Sequence, residues 1–390
     1  MNCAFRFPSW GYPFILAVGI VVVFSPLTFR ETHYKAGEVT SDFPAVMEFA
    51  QNMKQGSGDV PGFAVAHPAW ELLVIAVNRI FGISVRMSAF LVTISCILAA
   101  ALVLYFWLEP VMRARGLSPW LAAAAAMGLN LVTPISLLAS VDRRFYFGYI
   151  GIISYHNPTI ILLRPLALLQ FILAIQCFRQ APSSWKLMSG AAAITLMATF
   201  AKPSFAICLL PAMGIVAACR LLKKLAVDWR LLILGFIVPA VIMLAWQFLV
   251  AYGTPAGSGI FFFPFGVMAG LSGYLGIKFL LSILFPLLVA IFFFREAALD
   301  TRMVLAWLTF LLGALYAYFL AEGPPRTFDG NFIWSAKIAL LVLFCVSAVF
   351  LFEQIRAFRL KAGLVTAIWV AHVAYGAVYY YHILLTQKYR

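Results

Sequence analysis

The amino-acid sequence predicts an all-α fold, a polytopic transmembrane helical bundle of about eleven spans that forms a single domain over residues 1–390. Of the 390 residues, 64% are hydrophobic and only 11% are charged, against about 25% charged residues in an ordinary soluble domain. The apolar runs have about the 20-residue length that one helix needs to cross a hydrocarbon core about 30 Å thick. Alternating strand-length segments are absent, so the bilayer's requirement for internally bonded backbone groups predicts helices rather than a barrel.

Charged residues or Pro and Gly separate the predicted spans. These are 11–29, 84–108, 119–140, 158–178, 187–201, 204–219, 231–252, 272–294, 303–320, 333–352 and 363–385. The first run has no Ala-x-Ala cleavage pattern, so we expect a retained span rather than a removed signal. Five of the six cysteines lie in or beside apolar runs without metal-type spacing, which is typical of small apolar residues rather than of disulfides.

The basic residues predict an orientation. With a cytoplasmic amino terminus, the inner loops are short and hold 14 of the 28 Lys and Arg residues but only 5 of the 14 acids, a net charge of +9 inside (14 − 5) against +5 outside (14 − 9), which favours this orientation. The net charge of +14 is therefore attributed to topology and anionic lipid rather than to nucleic acid. Four outer bases lie in or against apolar runs, where a buried charge usually marks a site: Arg164, Lys202, Lys278 and Lys337.

One loop is long. Residues 30–83 are predicted to form the first extracytoplasmic loop, with interfacial helices. A helix is expected to begin at Ser41-Asp42 and to include Glu48. Two interpretations of Asp42 stay open at this point. Either Ser41 or Asp42 caps the helix, or the Asp42 carboxylate, just above the bilayer, is a general base that accepts a hydroxyl proton.

The same loop ends in a short amphipathic segment. After His67-Pro68, residues 69–82 are apolar on one face, and Glu71, Asn78 and Arg79 are expected on the other. This segment is too short to cross the bilayer at 1.5 Å per residue. We therefore predict a helix that lies in the membrane plane.

Three further outer segments combine groups that bind sugars and phosphates, since Arg forks onto phosphate oxygens and aromatic rings cover sugar faces. They are 141–149 with Arg143 and Arg144, continuing to Tyr155, His156, Asn157 and Arg164; the hinge 200–205 with Lys202; and 321–334 with Glu322, Arg326, Asp329 and Asn331, followed by Lys337. Each also has a structural interpretation. Asn157-Pro158 is an ordinary helix start, a turn lysine can snorkel, and Asp329-Gly330-Asn331 is a turn sequence.

Missing motifs exclude several function classes. The sequence contains no Walker-type phosphate loop, no His/Cys metal spacing and no G-x-S-x-G nucleophile pattern, which argues against an ATP-driven pump and a zinc protease. No cofactor is predicted. Nothing indicates a divalent metal, although the sequence does not exclude one.

The layout resembles the front end of the GT-C superfamily of integral membrane glycosyltransferases. The resemblance covers about the first 110 residues and rests on a first span, a long outer loop with an Asp, an interfacial helix and a second span. The residues concerned are Ser41-Asp42 and His67-Pro68-Ala69-Trp70. Further on, Tyr155-His156-Asn157-Pro158-Thr159 and Ala201-Lys202-Pro203-Ser204-Phe205 look like motifs of little-characterised bacterial members.

The resemblance implies an inverting transfer of a hexose or pentose from a polyprenyl-phosphate donor to a hydroxyl of a glycan, lipid or protein acceptor. It implies a multi-pass protein of the bacterial inner membrane with a periplasmic active site. Asp42 would be the base, and the carrier phosphate would contact some of Arg164, Lys202, Arg326 and Lys337. Many relatives have a second acid beside the first, whereas here Phe43 follows Asp42, which leaves metal dependence open.

Other functions stay open at this point. A flippase or transporter of a lipid-linked sugar would use the same cations without a base, but transporters usually show paired repeats and ionisable groups near the middle of their spans. A polysaccharide polymerase or ligase would be favoured by a second long outer loop, and only 30–83 is long. A purely structural membrane subunit would tolerate Ala at Lys202 and Arg326.

Overall fold

The computed structural model describes residues 10–33, 41–56, 61–180, 182–252, 259–386 and 388–389. Within these ranges, eight helices are long and apolar enough to cross a membrane. They are Gly11–His33, Val85–Ala114, Pro158–Phe178, Leu231–Ala251, Leu275–Phe292, Thr301–Phe319, Ile333–Gln354 and Arg359–Thr386. The chain is therefore a multi-pass helical membrane protein, as its composition predicts.

The described helices are numbered in chain order. They are α1 (Gly11–His33), α2 (Phe43–Gln55), α3 (Gly62–Val65), α4 (Ala69–Phe81), α5 (Val85–Ala114), α6 (Pro119–Leu129), α7 (Ala139–Asp142), α8 (Pro158–Ala174), α9 (Trp185–Ala201), α10 (Ala206–Leu222), α11 (Val238–Tyr252), α12 (Gly266–Leu271), α13 (Leu275–Phe292), α14 (Phe294–Leu299), α15 (Thr301–Phe319), α16 (Ile333–Gln354) and α17 (Arg359–Thr386). A 3-10 turn, Ile175–Phe178, extends α8, and a π-helical segment, Leu231–Ile237, precedes α11. Side chains that accept backbone N–H groups fix several starts: Ser84 for α5, Ser118 for α6, Asn157 for α8, Ser184 for α9 and Asp300 for α15.

Three of the eleven expected spans are not long continuous helices in the structure. In the segment 119–140, α6 ends at Leu129 and residues 130–138 are irregular before α7 begins at Ala139. Pro134 has no N–H to donate and disfavours helix at the residue before it, so α6 does not continue through this position. Helices α9 and α10 have 17 residues each, which is shorter than the about 20 residues of a full crossing. The other eight predicted spans correspond to the long helices.

The loops predicted to share the cytoplasmic side contact one another at one end of the bundle. Arg302 in α15 forks onto Glu353 of α16, with N–O distances of 2.8 and 2.6 Å. Arg220 at the end of α10 donates to the Thr301 hydroxyl at 3.4 Å. Bidentate Arg–carboxylate geometry of this kind fixes orientation as well as adding energy, so it ties α15 to α16 at that end.

Two three-residue strands depart from the purely helical expectation. Strand β1 (Ile260–Phe262) pairs antiparallel with β2 (Leu320–Glu322), and Ile260 lies opposite Glu322. The pairing satisfies backbone groups that would otherwise be unpaired near the membrane. It also fixes the start of the polar loop 321–334 that was predicted from the sequence.

Helix α16 is the centre of the bundle. Nearly all of its residues are buried, and it contacts α15, α5, α8 and α13. A helix surrounded by other helices is apolar on every side, which explains its continuous apolar sequence. Lys337, in the second turn of this helix, is 6% exposed and is therefore placed inside the protein rather than against lipid.

Lys278, one of the four outer bases singled out above, has a structural partner. Its ammonium is fully buried and donates to Asp142, to the Ser272 hydroxyl at 2.6 Å and to the Phe147 carbonyl at 3.1 Å. Buried charges persist when they are paired and hydrogen-bonded. The ion pair ties α13 to the end of α7, and the bond to Phe147 ties it to the chain between α7 and α8.

Candidate functional site

A polar cavity of about 490 Å³ opens among α2, α4, the chain before α8, the break between α9 and α10, and the start of α16. Nine of the residues singled out in the sequence line it. They are Asp42, His67, His156, Asn157, Lys202, Arg326, Asp329, Asn331 and Lys337. Segments almost 300 positions apart in the chain therefore meet at one face of the bundle.

Asp42 is held by the segment before α8. Its carboxylate makes no cap bond to α2 and instead accepts a hydrogen bond from Asn157 Nδ2 at 2.6 Å. The backbone N–H of Asp42 donates to the His156 carbonyl at 2.9 Å. The Ser41 hydroxyl accepts from the Phe43 N–H at 3.3 Å. Of the two interpretations of this helix start, local capping therefore involves Ser41, and the Asp42 carboxylate faces the cavity.

A chain of hydrogen bonds connects Asp42 to Lys202. Asn157 Oδ1 accepts from the Ile160 N–H at 2.9 Å and from the Thr159 hydroxyl at 2.8 Å, so its amide nitrogen is the end that is free to bond Asp42. Lys202 Nζ donates to Thr159 Oγ1 at 3.1 Å. Hydrogen bonds to Asn157 and Thr159 at the start of α8 therefore hold the Asp42 carboxylate and the Lys202 ammonium at fixed positions relative to each other.

Two lysines share one indole ring. Lys337 Nζ lies 4.2 Å from the Trp334 ring centroid, and Lys202 Nζ lies 5.2 Å from it. Lys337 also donates to the Tyr146 hydroxyl, which is 2.8 Å from Ser154 Oγ. Aromatic faces stabilise desolvated cations without neutralising them. Both lysines line the polar cavity, so both side-chain nitrogens are positioned to meet an anion there.

Burial sets the protonation of the groups outside the spans. It lowers the pKa of His67 to about 3, assisted by the charges of Lys202 and Arg326. It lowers the pKa of His156 to about 4, although the nearby Asp42 acts in the opposite direction. Both imidazoles are therefore neutral at pH 7. Burial also lowers the pKa of Lys202 to about 8, which leaves this ammonium mostly charged at neutral pH.

Arg326 belongs to the loop that follows β2. Its guanidinium lies 3.2 Å from Glu322 Oε2 and 3.3 Å from Asp329 Oδ2. Asn331 Nδ2 donates to the same Glu322 oxygen at 2.7 Å. These contacts are typical of a loop with a defined shape, and they orient Arg326 at the rim of the cavity.

A second, apolar groove of about 520 Å³ adjoins the polar cavity. Its walls are mainly Pro203, Ile207 and residues 241–251 of α11. Four residues line both spaces: His67, Lys202, Arg326 and Asn331. The chain therefore presents a polar chamber and an apolar groove that meet at a cationic junction.

Six predicted site residues lie outside the polar cavity. Glu48, Arg143 and Arg144 are exposed, because their positions on α2 and after α7 point away from it. Arg164 is 2% exposed and donates to the Ser154 carbonyl, and the Tyr155 hydroxyl donates to the Asn130 carbonyl at 3.3 Å. Both lie behind the cavity wall, so a carrier phosphate in the cavity does not reach Arg164. Glu322 lines the apolar groove only.

The cavity residues that were not selected from the sequence include four with polar groups or rings that bear on its chemistry: Glu71, Tyr146, Thr159 and Trp334. Glu71 was expected on the polar outer face of α4, but it is buried, while Leu72, Leu73, Ile80 and Phe81 are exposed. In a membrane protein the outward face is the apolar one, which reverses the soluble-protein expectation. Helical spacing was an available signal for Trp334, which precedes Lys337 by three positions in α16.

Among the described residues, no group of three or more His, Cys, Asp and Glu side chains could hold a metal ion. The absence of a metal requirement stays a prediction. No protein-family model matches the chain, and no curated protein matches its sequence.

Proposed function

We propose that the protein transfers a sugar from a polyprenyl-phosphate donor to an acceptor hydroxyl, with inversion. One observation supports this most strongly. A carboxylate, Asp42, lines the same cavity as the cations Lys202, Arg326 and Lys337, and this cavity meets an apolar groove at a cationic junction. A substrate that is part lipid, part phosphate and part sugar matches these three environments.

The donor would lie across the junction. Its isoprenoid chain would occupy the groove beside α11, where apolar contact replaces contact with lipid. Its phosphate would lie between Lys202, Arg326 and Asn331, which line both spaces. Charge develops on the phosphate as the glycosidic bond breaks, and fixed cations in a partly dehydrated site stabilise that charge.

The sugar and the acceptor would occupy the polar cavity. The rings of Tyr146 and Trp334 are available to cover apolar sugar faces. Asp42 would take the proton of the acceptor hydroxyl while the acceptor oxygen bonds to the anomeric carbon. Asn157 holds the Asp42 carboxylate by one of its oxygens, so the second oxygen is the one that would receive the proton. General-base assistance of this kind contributes about 10²- to 10⁴-fold.

The cellular setting follows from the same proposal. We place the protein in a bacterial inner membrane, with the cavity on the periplasmic side, because the loops at the opposite end hold the short basic segments expected of a cytoplasmic face. The acceptor would be a glycan, a lipid or a protein. The cations of the junction would also contact membrane lipid headgroups when no donor is bound.

The test is Asp42→Asn, assayed for sugar transfer from a polyprenyl-phosphate sugar in membranes. We expect a loss of at least about 100-fold, with binding of polyprenyl phosphate retained. Glu48→Gln is the matched control, because Glu48 is an exposed carboxylate on the same helix and outside both cavities. Transfer near the wild-type rate in Asp42→Asn would remove the base. Translocation of the lipid-linked sugar without transfer would instead support a flippase.

A further inference from the structure

Glu71 is a buried carboxyl that the scheme above does not use. It is 2% exposed and lines the polar cavity. Its Oε2 atom is buried without a hydrogen-bond partner. A buried polar atom without a partner costs about 1–3 kcal/mol. The carboxyl is therefore positioned as though a bound group completes its hydrogen bonding.

The position of Glu71 points to the nature of that group. Glu71 lies in the first turn of α4, and His67 lies in the bend just before that helix. His67 lines both the polar cavity and the apolar groove, and its Nδ1 atom is also buried without a partner. The charge of Lys202 acts on both side chains. Glu71 thus lies in the polar cavity, close in the chain to His67, which the bend before α4 contributes to the cationic junction.

We propose that Glu71 is a general acid that protonates the departing phosphate. The assignment rests on the proposed glycosyl transfer and adds a second catalytic residue to it. As the acceptor oxygen bonds to the anomeric carbon, the bond from that carbon to the phosphate oxygen breaks. Asp42 receives the acceptor proton, and Glu71 gives its proton to a phosphate oxygen. The products are the glycoside, monoprotonated polyprenyl phosphate, a protonated Asp42 and an ionised Glu71, which exchange one proton through the cavity before the next cycle.

The two carboxyls have environments suited to different tasks. Asp42 accepts a hydrogen bond from the Asn157 amide at 2.6 Å. Glu71 has no such donor at Oε2. Burial raises the pKa of Glu71 to about 7, although its own backbone N–H and the charge of Lys202 act in the opposite direction. Pairs of carboxyls in contrasting environments are the usual basis for separate acid and base roles.

Other groups near Glu71 also affect a pH profile. The other charged or titratable side chains that line the cavity are Asp42, His67, Tyr146, Tyr149, His156, Lys202, Arg326, Asp329 and Lys337. The helices packed against α4 also have Glu48 and Lys54 in α2, Arg86, Cys96, Tyr105, Glu109 and Arg113 in α5, Arg164 in α8 and Lys186 in α9. His67 is neutral throughout the range of interest, because its pKa is about 3. Lys202 loses its proton near pH 8, so a wild-type profile alone does not isolate Glu71. The difference between the wild-type and Glu71→Gln profiles isolates the contribution of Glu71, because Gln keeps the shape of the side chain and removes the exchangeable proton.

The experiment measures transfer and product binding between pH 5.5 and 8.5. The single-turnover rate of Glu71→Gln is expected to be at least about 100-fold below that of wild type. Undecaprenyl phosphate is the binding probe. Above pH 7 its phosphate is fully ionised, since the second phosphate pKa is about 6. Wild type is therefore expected to take up one proton on binding and to weaken about tenfold per pH unit, whereas Glu71→Gln lacks that proton uptake. Glu48→Gln is expected to behave as wild type.

Distinct outcomes overturn distinct statements. If wild type transfers the sugar, and Glu71→Gln transfers it and binds undecaprenyl phosphate as wild type does, the acid role of Glu71 is overturned and the proposed function is not. Absence of transfer by wild type at every pH would overturn the proposed function, and the role of Glu71 with it. Calorimetry of wild type in two buffers of different ionisation enthalpy measures proton uptake without any variant, and zero uptake at pH 8 would also refute the acid.

Discussion

Exchange of the Asp42 and Asn157 side chains separates the stability of the site from its chemistry. Asn157→Asp removes the amide hydrogen that is donated to Asp42 at 2.6 Å and sets two carboxylates against each other. The Oδ1 contacts of residue 157 with Ile160 and Thr159 are available to Asp as well, so α8 keeps its cap. A hydrogen bond to a charged group contributes about 1.5–3 kcal/mol. We therefore expect Asn157→Asp to lower the free energy of unfolding by at least that amount.

The exchanged double variant, Asp42→Asn with Asn157→Asp, restores one amide donor opposite one carboxylate. Its free energy of unfolding is expected to return to within about 1 kcal/mol of wild type, because coupled neighbours compensate each other in such a cycle. Its transfer activity is expected to stay at least about 100-fold below wild type. The carboxylate is then at position 157, where the cap of α8 and the Thr159 hydroxyl engage it.

Denaturant unfolding in detergent micelles and the transfer assay give the two readouts. Full activity in the exchanged variant would refute the assignment of the base to position 42. An Asn157→Asp protein as stable as wild type would show that the 2.6 Å hydrogen bond contributes nothing to folding.

Two further predictions concern the scaffold. Lys278→Met leaves Asp142 partly buried without its cation, and loss of one partner of such a pair is expected to cost about 3 kcal/mol of unfolding free energy. Arg113→Met is the control, because the Arg113 side chain is 64% exposed whereas that of Lys278 is fully buried, and an ion pair with an exposed cation contributes at most about 1 kcal/mol. Equal effects in both variants would contradict the reasoning. A methyl group at Gly376 would overlap the carbonyl of Leu131, whereas one at Gly363 meets no atom within 4 Å. In thermal unfolding we therefore expect Gly376→Ala to be destabilised by about 2 kcal/mol or more and Gly363→Ala to be unchanged or stabilised. A Gly376→Ala protein as stable as wild type would refute the close approach of α17 to the Leu131 backbone.

Local sequence was sufficient for most of the helical architecture, because a helix that crosses a bilayer is recognisable from the length and polarity of its own segment. It failed where a segment of suitable length contained a local interruption, as at Pro134. The break at Lys202 between two short helices was expected from the sequence, and α9 and α10 flank it. The strands β1 and β2 escaped notice because three residues show no measurable alternation, and their pairing joins segments 60 positions apart.

The sequence also restricted the polar residues of interest to one face of the bundle, since Lys, Arg and acidic residues in short loops reveal which ends of the helices lie together. Tertiary packing alone decided which of these residues meet. It directed Arg143 and Arg144 outward, placed Arg164 behind the cavity wall, gave Lys278 an internal partner and turned Glu71 inward. The physical reason is that the cost of a buried charge depends on its partners, and those partners come from helices that are distant in the chain and adjacent only in the folded bundle.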